Sequence, residues 1–171
     1  MNLFVKANPA RCIGCRTCMI SCVVAHEGAR IFEIDPDGYG FNPRLFMVKT
    51  ARISAPVQCK HCENPACKSA CTSNAVTIEG SAVVINRNKC IGCKNCVIAC
   101  PFGAVEIVET AEVQTDGSLK KIANKCDLCA GVADSPSCVK VCLTEALSLV
   151  SEEKLEASLE EKRKNAVLCQ G

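Results

Sequence analysis

The sequence predicts a small α+β protein of two similar modules, each with short β-hairpins and short ligand-bearing helices, followed by one C-terminal helix. Three observations support this fold class. Cysteine makes up 17 of the 171 residues, a level at which cysteine chemistry defines a fold. Sixteen of these cysteines form four similarly spaced sets in a doubled order. Short β-rich runs with turn residues between them separate the later sets.

The composition excludes several classes of protein. Aromatic residues amount to 4% and the formal net charge is +2, which argues against nucleic-acid binding by stacked rings or a basic surface. No run of 18 apolar residues is present, so we expect no membrane-spanning helix. The N-terminus shows no export signal, and we expect a cytoplasmic protein. Without export, cysteine-rich chains bind metal more often than they form disulfides.

The four cysteine sets share their first and last spacings, C-x2-C and C-x3-C. They are Cys12, Cys15, Cys18 and Cys22; Cys59, Cys62, Cys67 and Cys71; Cys90, Cys93, Cys96 and Cys100; and Cys126, Cys129, Cys138 and Cys142. Sets one and three read C-x2-C-x2-C-x3-C, and Pro101 completes the ferredoxin signature in set three. Sets two and four have longer middle gaps. This spacing predicts four 4Fe–4S clusters as the cofactors.

We predict that each cluster takes its ligands from two sets. In two-cluster ferredoxins the fourth cysteine of each run binds the neighbouring cluster. The C-x3-C ending opens a short helix that carries this last sulfur away from its own loop. The predicted ligand groups are Cys12, Cys15, Cys18 and Cys142 (site 1); Cys126, Cys129, Cys138 and Cys22 (site 2); Cys59, Cys62, Cys67 and Cys100 (site 3); and Cys90, Cys93, Cys96 and Cys71 (site 4).

Zinc is the alternative metal, because zinc ribbons also use C-x2-C pairs. Each C-x2-C pair of a zinc ribbon contributes two ligands to a tetrahedral site, so a run of three cysteines would leave one sulfur unused. We therefore favour iron–sulfur clusters over a zinc-stabilised interaction module. His26 and His61 lie beside ligand sets, and we expect them to form hydrogen bonds near a cluster. Basic residues beside the cysteines, among them Lys89 and Lys125, could raise cluster potentials or attract partners, but we expect most of these residues to be solvated. With the ligands assigned, no catalytic constellation remains.

An internal duplication relates the two halves of the chain. Residues 11–22 read RCIGCRTCMISC and residues 89–100 read KCIGCKNCVIAC, while sets two and four both have proline two residues before the third cysteine. We therefore predict one four-cluster domain over residues 1–150. Module A covers residues 56–108, and module B joins residues 1–30 with 120–150. Residues 31–55 form an insertion.

Two hairpins are predicted after set two and after set three. The first pairs Val76–Ile78 with Val83–Ile85, and the second pairs Ala104–Val108 with Lys120–Ala123. A further strand over Ala146–Val150 follows set four.

The insertion contains a turn signal at Pro36-Asp37-Gly38 and a strand pattern over Arg44–Lys49. We expect Phe41, Phe46 and Met47 to shield cluster sites from water. A partner-docking surface is the alternative role for these side chains.

Residues 151–171 predict a C-terminal helical arm. Ser151 can cap a helix that extends to Leu168, and the glutamates that follow Ser151 suit its positive end. Leu155 and Leu159 lie on one face. The arm either packs on the fold through this narrow stripe or grips another subunit, and the sequence favours neither. We expect Cys169 to be a free thiol.

With the motifs CIGCRTC, CKHCENPAC, CIGCKNCVIACPFGA and NKCDLC, residues 1–168 resemble the four-cluster iron–sulfur subunits of the dimethyl-sulfoxide-reductase family. Similar members serve formate dehydrogenases and hydrogenases, among them the polyferredoxin subunits of hydrogen-dependent carbon dioxide reductase. The resemblance implies two pseudo-symmetric bacterial dicluster ferredoxin-like modules with crossed ligation. Thr72 and Leu143 stand where the family usually has proline. Because proline supplies no ligand, we expect the clusters to be retained.

The resemblance also implies a non-catalytic role in electron transfer. The partners would be a catalytic molybdopterin or tungstopterin subunit, of the formate dehydrogenase or aldehyde oxidoreductase type, and a second redox protein such as a hydrogenase. Filaments built from copies of the chain through C-terminal helices are a further implication. A free, diffusible polyferredoxin is the alternative.

Overall fold

The computed structural model describes residues 1–28 and 41–169. The predicted turn at Pro36-Asp37-Gly38 lies outside these residues. The helices are α1 (Thr17–Glu27), α2 (Ala66–Ser69), α3 (Asn95–Ala99), α4 (Ser137–Lys140) and α5 (Glu152–Leu168). The strands are β1 (Phe4–Ala7), β2 (Phe46–Lys49), β3 (Ser54–Val57), β4 (Val76–Glu79), β5 (Ala82–Ile85), β6 (Glu106–Val113), β7 (Leu119–Asn124) and β8 (Leu147–Val150). Within the described ranges, these strands form four two-stranded antiparallel sheets.

The two predicted hairpins are confirmed. Strands β4 and β5 pair in a register that sets Val76 opposite Ile85 and places Gly80 at the turn with a φ of 58°. Strands β6 and β7 extend closer to the turn at Gly117 than predicted. Their pairing shifts register between Glu109 and Val113 and then continues towards this turn. A strand in the insertion is also confirmed, although β2 begins only at Phe46.

Strand β1, which no sequence pattern predicts, pairs with β8 and joins the two ends of the four-set region. Val5 of β1 is fully buried, and Leu147 of β8 is 4% exposed. They share a core with Leu45 and with cysteines of sets one and four. Helices α1 and α4 pack together beside these strands.

A second core joins sets two and three. Its buried residues are Cys96, Val105 and Ala123, and Ile85 and Ile107 pack against them. Helices α2 and α3 pack together here. The two cores therefore divide the four sets into an inner pair, which is consecutive in the chain, and an outer pair, which is not.

Phe41, which we expected to shield a cluster site, is 44% exposed and lies outside the buried core. Leu45 was not among the expected shielding residues, but it is 1% exposed. It packs among Cys18, Cys22 and Cys138. Met47 packs against the same core. In the pairing of β2 with β3, Met47 lies opposite Pro56.

The predicted C-terminal helix is confirmed as α5. The Ser151 hydroxyl accepts a hydrogen bond from the Lys154 N–H at 3.4 Å, as an N-cap does. No residue of α5 is buried, and Leu155 and Leu159 are 36% and 39% exposed. The apolar stripe therefore buries little surface. Among the described residues, no helix combines the length and apolar character needed to cross a membrane.

Candidate metal centre

The loops of sets one and three have the same backbone conformation. Gly14 and Gly92 have φ values of 69° and 66°, and Arg16 and Lys94 have values of 63° and 67°. A Cβ atom on Gly92 would lie 2.5 Å from the Lys121 carbonyl oxygen, so only glycine fits there. The sequence repeat is therefore also a repeat of two left-handed turns that wrap the first three cysteines.

Sets two and four share a different local geometry. The residue before their second cysteine, His61 or Leu128, has a positive φ of 48° or 62°. The prolines that precede the third cysteine each stand at the N-terminus of a short helix, α2 or α4. Three residues after the last cysteine, Asn74 and Glu145 have φ values of 52° and 50°. The irregular middle gaps therefore leave the ends of these two sets alike.

The four cysteines of predicted site 4 line one cavity. Cys71 from set two reaches this cavity together with Cys90, Cys93 and Cys96 from set three. The rest of the lining is mainly apolar and includes Ile85. Among residues 1–28 and 41–169, no three Cys, His, Asp or Glu side chains converge closely enough to hold a single metal ion.

Sets one and four approach each other in the same crossed way. A hydrogen bond with Thr17 lowers the pKa of Cys15, and the charge of Cys142 from set four opposes this shift. Burial raises the pKa of Cys138, and the charges of Cys126, Cys22 and Cys129 raise it further. Cysteines of sets one and four thus lie close to one another, and Cys18, Cys22 and Cys138 share one buried cluster.

Set two and set three also meet at predicted site 3. Burial raises the pKa of Cys67, and the charges of Cys59 and Cys100 add to the increase. Cys59 and Cys100 pack in one apolar cluster. Cys62 is assigned to this group from its spacing in the sequence.

Backbone N–H groups donate hydrogen bonds to one or more sulfurs in every set, which favours thiolates. The donors and acceptors are Arg44 to Cys22 (3.3 Å), His61 to Cys59 (3.4 Å), Ala75 to Cys71 (3.3 Å), Ala104 to Cys100 (3.4 Å), Ala123 to Cys90 (3.3 Å) and Leu128 to Cys126 (3.5 Å). Partial burial opposes the effect at Cys71, but hydrogen bonds from Ser73, Val76 and Ala75 lower the pKa of its thiol.

The third cysteine of each set is a poor thiolate on its own. Burial raises the pKa of both Cys18 and Cys96 to about 11, and neighbouring sulfurs add to the increase. Crowded, buried sulfurs need a cation to become ligands, and the iron of a cluster supplies positive charge. All seventeen cysteines are free of disulfide bonds. This donor set fits 4Fe–4S clusters, which transfer single electrons when bound.

A charged network stands beside Cys22. His26 Nδ1 bonds to the Cys22 carbonyl oxygen at 2.8 Å, and His26 Nε2 bonds to Asp127 Oδ1 at 3.0 Å. The Arg44 guanidinium also pairs with Asp127. Burial would lower the pKa of His26, but the hydrogen bonds to Asp127 and Cys22 raise it to about 10. The expected hydrogen bonding of His26 is therefore present, and it links sets one and four.

Sequence reasoning missed Asp127 and Arg44. The position of Asp127 between two cysteines was an available signal, because its carboxylate also accepts the Cys129 N–H at 3.0 Å. Arg44 carried no such signal, since only the fold brings the insertion to set four.

A second buried polar group surrounds Val83 of β5. The Val83 N–H donates to His61 Nδ1 at 3.0 Å, and the Lys125 ammonium donates to the Val83 carbonyl. Burial, followed by the charge of Lys125, lowers the pKa of His61 to about 3. Neutral His61 must then carry its proton on Nε2, which has no hydrogen-bond partner among the described residues.

Lys125 is an exception to the solvation expected for most of these basic residues, because it is only 3% exposed. Lys125 directly follows β7, whose end lies in the interior at Ala123 and Asn124. Lys89, which precedes set three in the same way, is exposed as expected. Sequence alone gave no signal for this difference.

Comparison with known proteins agrees with this donor set. The 4Fe-4S dicluster domain family matches residues 51–152. The electron transport protein HydN of Escherichia coli strain K12 is 38% identical over 175 aligned residues, covering 98% of this chain and 99% of HydN. Hydrogenase-4 component A of the same strain is 34% identical over 194 residues, covering 97% of this chain and 91% of that protein. A probable iron-sulfur subunit of the Frd operon of Proteus vulgaris is 38% identical over 153 residues, covering 86% of this chain and 96% of that protein.

These relatives cover most of the chain and are named for electron transport, a hydrogenase or an iron–sulfur protein. The cysteine geometry and the family match agree on the cofactor type, 4Fe–4S. The chain therefore belongs to the 4Fe-4S dicluster domain family and is a non-catalytic, ferredoxin-type electron-transfer protein.

Proposed function

We propose that this chain is the electron-transfer subunit of a cytoplasmic oxidoreductase complex and that it binds four 4Fe–4S clusters at sites 1 to 4. Single electrons would pass between a second redox partner, such as a hydrogenase, and a catalytic molybdopterin or tungstopterin subunit. A formate dehydrogenase or an aldehyde oxidoreductase is the catalytic type that we propose. Similarity to hydrogenase-4 component A supports a place in such a complex, and similarity to HydN supports a role in electron transport.

The crossing of Cys71 into the cavity of set three is the observation that carries the proposed ligation. A ferredoxin-type pair of sites needs this exchange of last cysteines between sets. We accordingly propose residues 56–108 as one dicluster module and residues 1–30 with 120–150 as the other. The pairing of β1 with β8 supports the second module, because it holds both ends of that module together.

The packing of the cysteine sets supports a linear order of the four sites. Sets one and four share the first core, which supports neighbouring positions for sites 1 and 2. Sets two and three share another core, which supports neighbouring positions for sites 3 and 4. Cys59 of site 3 and Cys126 of site 2 pack in one small cluster with Ala104. We therefore propose the order 1, 2, 3, 4 for electron transfer.

Serine substitutions test the crossed ligation. If Cys71 belongs to site 4, Cys71→Ser and Cys90→Ser change the same electron paramagnetic resonance signal of the reduced protein, and Cys67→Ser changes another. Cys169→Ser is the matched control, because Cys169 is exposed and lies outside the four sets. If Cys71→Ser and Cys67→Ser change the same signal, the crossing is wrong.

Native mass spectrometry of the complex, purified without oxygen, tests the proposed partners. We expect a large subunit with a molybdopterin or tungstopterin site to accompany the chain. A monomer that exchanges electrons with many partners would instead identify a free polyferredoxin. Helix α5, which has no buried residue, supports contacts with another subunit or with a second copy in a filament.

A further inference from the structure

Lys125 is a buried cation next to a cysteine set. Its side chain is 3% exposed, although lysine is almost never fully buried unless its charge is compensated. The Lys125 ammonium donates to the carbonyl oxygens of Val83 and Cys126, the latter at 2.9 Å. Two neutral carbonyls satisfy hydrogen bonds but provide no opposite charge. A buried ion without such a charge is strongly destabilising.

No carboxylate neutralises this ammonium within residues 1–28 and 41–169. Every ion pair described there joins other groups. Asp127, two residues along the chain, is already paired with His26 and Arg44. The compensating charge of Lys125 must therefore come from another source.

Predicted ligands of two sites lie near this position. The Lys125 ammonium donates to the backbone carbonyl of Cys126, a predicted ligand of site 2. It also donates to the Val83 carbonyl, and the Val83 N–H donates to His61, which lies inside set two, beside predicted ligands of site 3. Cys59 of site 3 and Cys126 of site 2 pack in one small cluster. The Lys125 ammonium thus lies at the junction of sites 2 and 3.

We propose that the clusters of sites 2 and 3 are the counter-charge of Lys125, and that Lys125 raises the reduction potentials of these two clusters. This inference rests on the proposed function. An oxidised cluster with four thiolate ligands carries a charge of about −2, and one electron makes it more negative. A buried positive charge stabilises the reduced form more than the oxidised form.

Potentiometric titration followed by electron paramagnetic resonance tests the role of Lys125 in the full-length, cluster-loaded protein. Lys125→Gln removes the charge but retains a polar side chain with N–H donors. We expect the reduced-to-oxidised ratio of two clusters to fall about tenfold at a fixed potential, which is about 59 mV for a one-electron couple. Lys125→Arg keeps the charge and should restore both potentials. Lys89→Gln is the matched control, because Lys89 precedes set three but is exposed.

The outcomes separate this inference from the proposed function. Four retained clusters with unchanged potentials in Lys125→Gln would overturn the inference and leave the four-cluster proposal intact. Loss of two clusters from Lys125→Gln, with recovery in Lys125→Arg, would support it, since the charge would then be needed for binding. Equal loss in both variants would overturn it and assign Lys125 a packing role. A wild-type chain that binds zinc and no sulfide would refute the proposed function itself.

Discussion

Sets one and three have nearly the same sequence and the same loop, yet the chain leaves their last cysteines in different ways. After set three, α3 ends at Ala99, Cys100 is extended, and the Ala104 N–H turns back to the Cys100 sulfur. After set one, α1 continues through Cys22 to Glu27. The Cys22 sulfur accepts the N–H of Arg44, from the insertion. The motif thus determines the ligand loop, and the following residues decide what covers the last sulfur.

Proline accounts for part of this difference. Pro101 disfavours a helical conformation at Cys100, whose ψ is 113°. Val23 follows Cys22 and permits the helix to continue, with its own side chain 1% exposed. The continued helix is what places His26 beside Asp127 of set four. The helix after set one therefore contacts a distant part of the chain, whereas the residues after set three contact their own last cysteine.

The largest expected effect is that of Asp127→Asn, which removes the charge shared by His26 and Arg44. Breaking a buried ion pair costs about 3–5 kcal/mol, and both partners lie largely inside the protein. We expect a lower denaturation midpoint and weaker loading of iron at site 2. Glu145→Gln is the control, because the Glu145–Arg11 pair is exposed and contributes less than about 1 kcal/mol. Equal midpoints for the two variants would contradict the importance of the network.

Val23→Pro would place a proline directly after the last cysteine of set one, as Pro101 follows the last cysteine of set three. Proline inside a helix costs about 3 kcal/mol or more, and it should separate His26 from Asp127. The reverse change, Pro101→Thr, should cost less than about 1 kcal/mol. The reason is that Thr72 follows set two, whose last sulfur is also bonded by an alanine N–H. Anaerobic urea unfolding compares the two variants, and a larger loss for Pro101→Thr would refute this account.

The smallest expected difference separates the two glycines of the shared loop. Both Gly14→Ala and Gly92→Ala force a side chain into a left-handed conformation, at about 1–2 kcal/mol. Gly92→Ala adds a clash with the Lys121 backbone, for about 1–3 kcal/mol more. Among the described residues, the new methyl of Gly14→Ala meets only the Ser54 side chain, at 3.1 Å. On heating, the cluster-loaded Gly92→Ala variant should lose its clusters at a lower temperature than Gly14→Ala. The opposite order would contradict the geometry.

The sequence sufficed to predict the elements with strong local signals. The spacing of the cysteines predicts the ligand helices, Gly80 and Gly117 mark the two hairpins, and Ser151 marks the start of α5. The repeat predicted that sets one and four come together, but the sequence did not predict the individual strand and side-chain contacts between distant segments. The pairing of β1 with β8 and the approach of Arg44 to Asp127 depend on tertiary packing and leave no periodic pattern. Lys125 is buried and Lys89 is exposed, although both occupy equivalent positions in similar motifs. Tertiary packing, and not the local sequence, therefore decides the exposure of these two lysines.

The central claim is that sixteen of the seventeen cysteines bind four iron–sulfur clusters. Quantification of iron, zinc and acid-labile sulfide in the protein purified without oxygen tests it most directly. The account predicts about sixteen iron atoms and about sixteen sulfides per chain, with a broad brown absorbance. A colourless protein with about four zinc ions and no sulfide would contradict it.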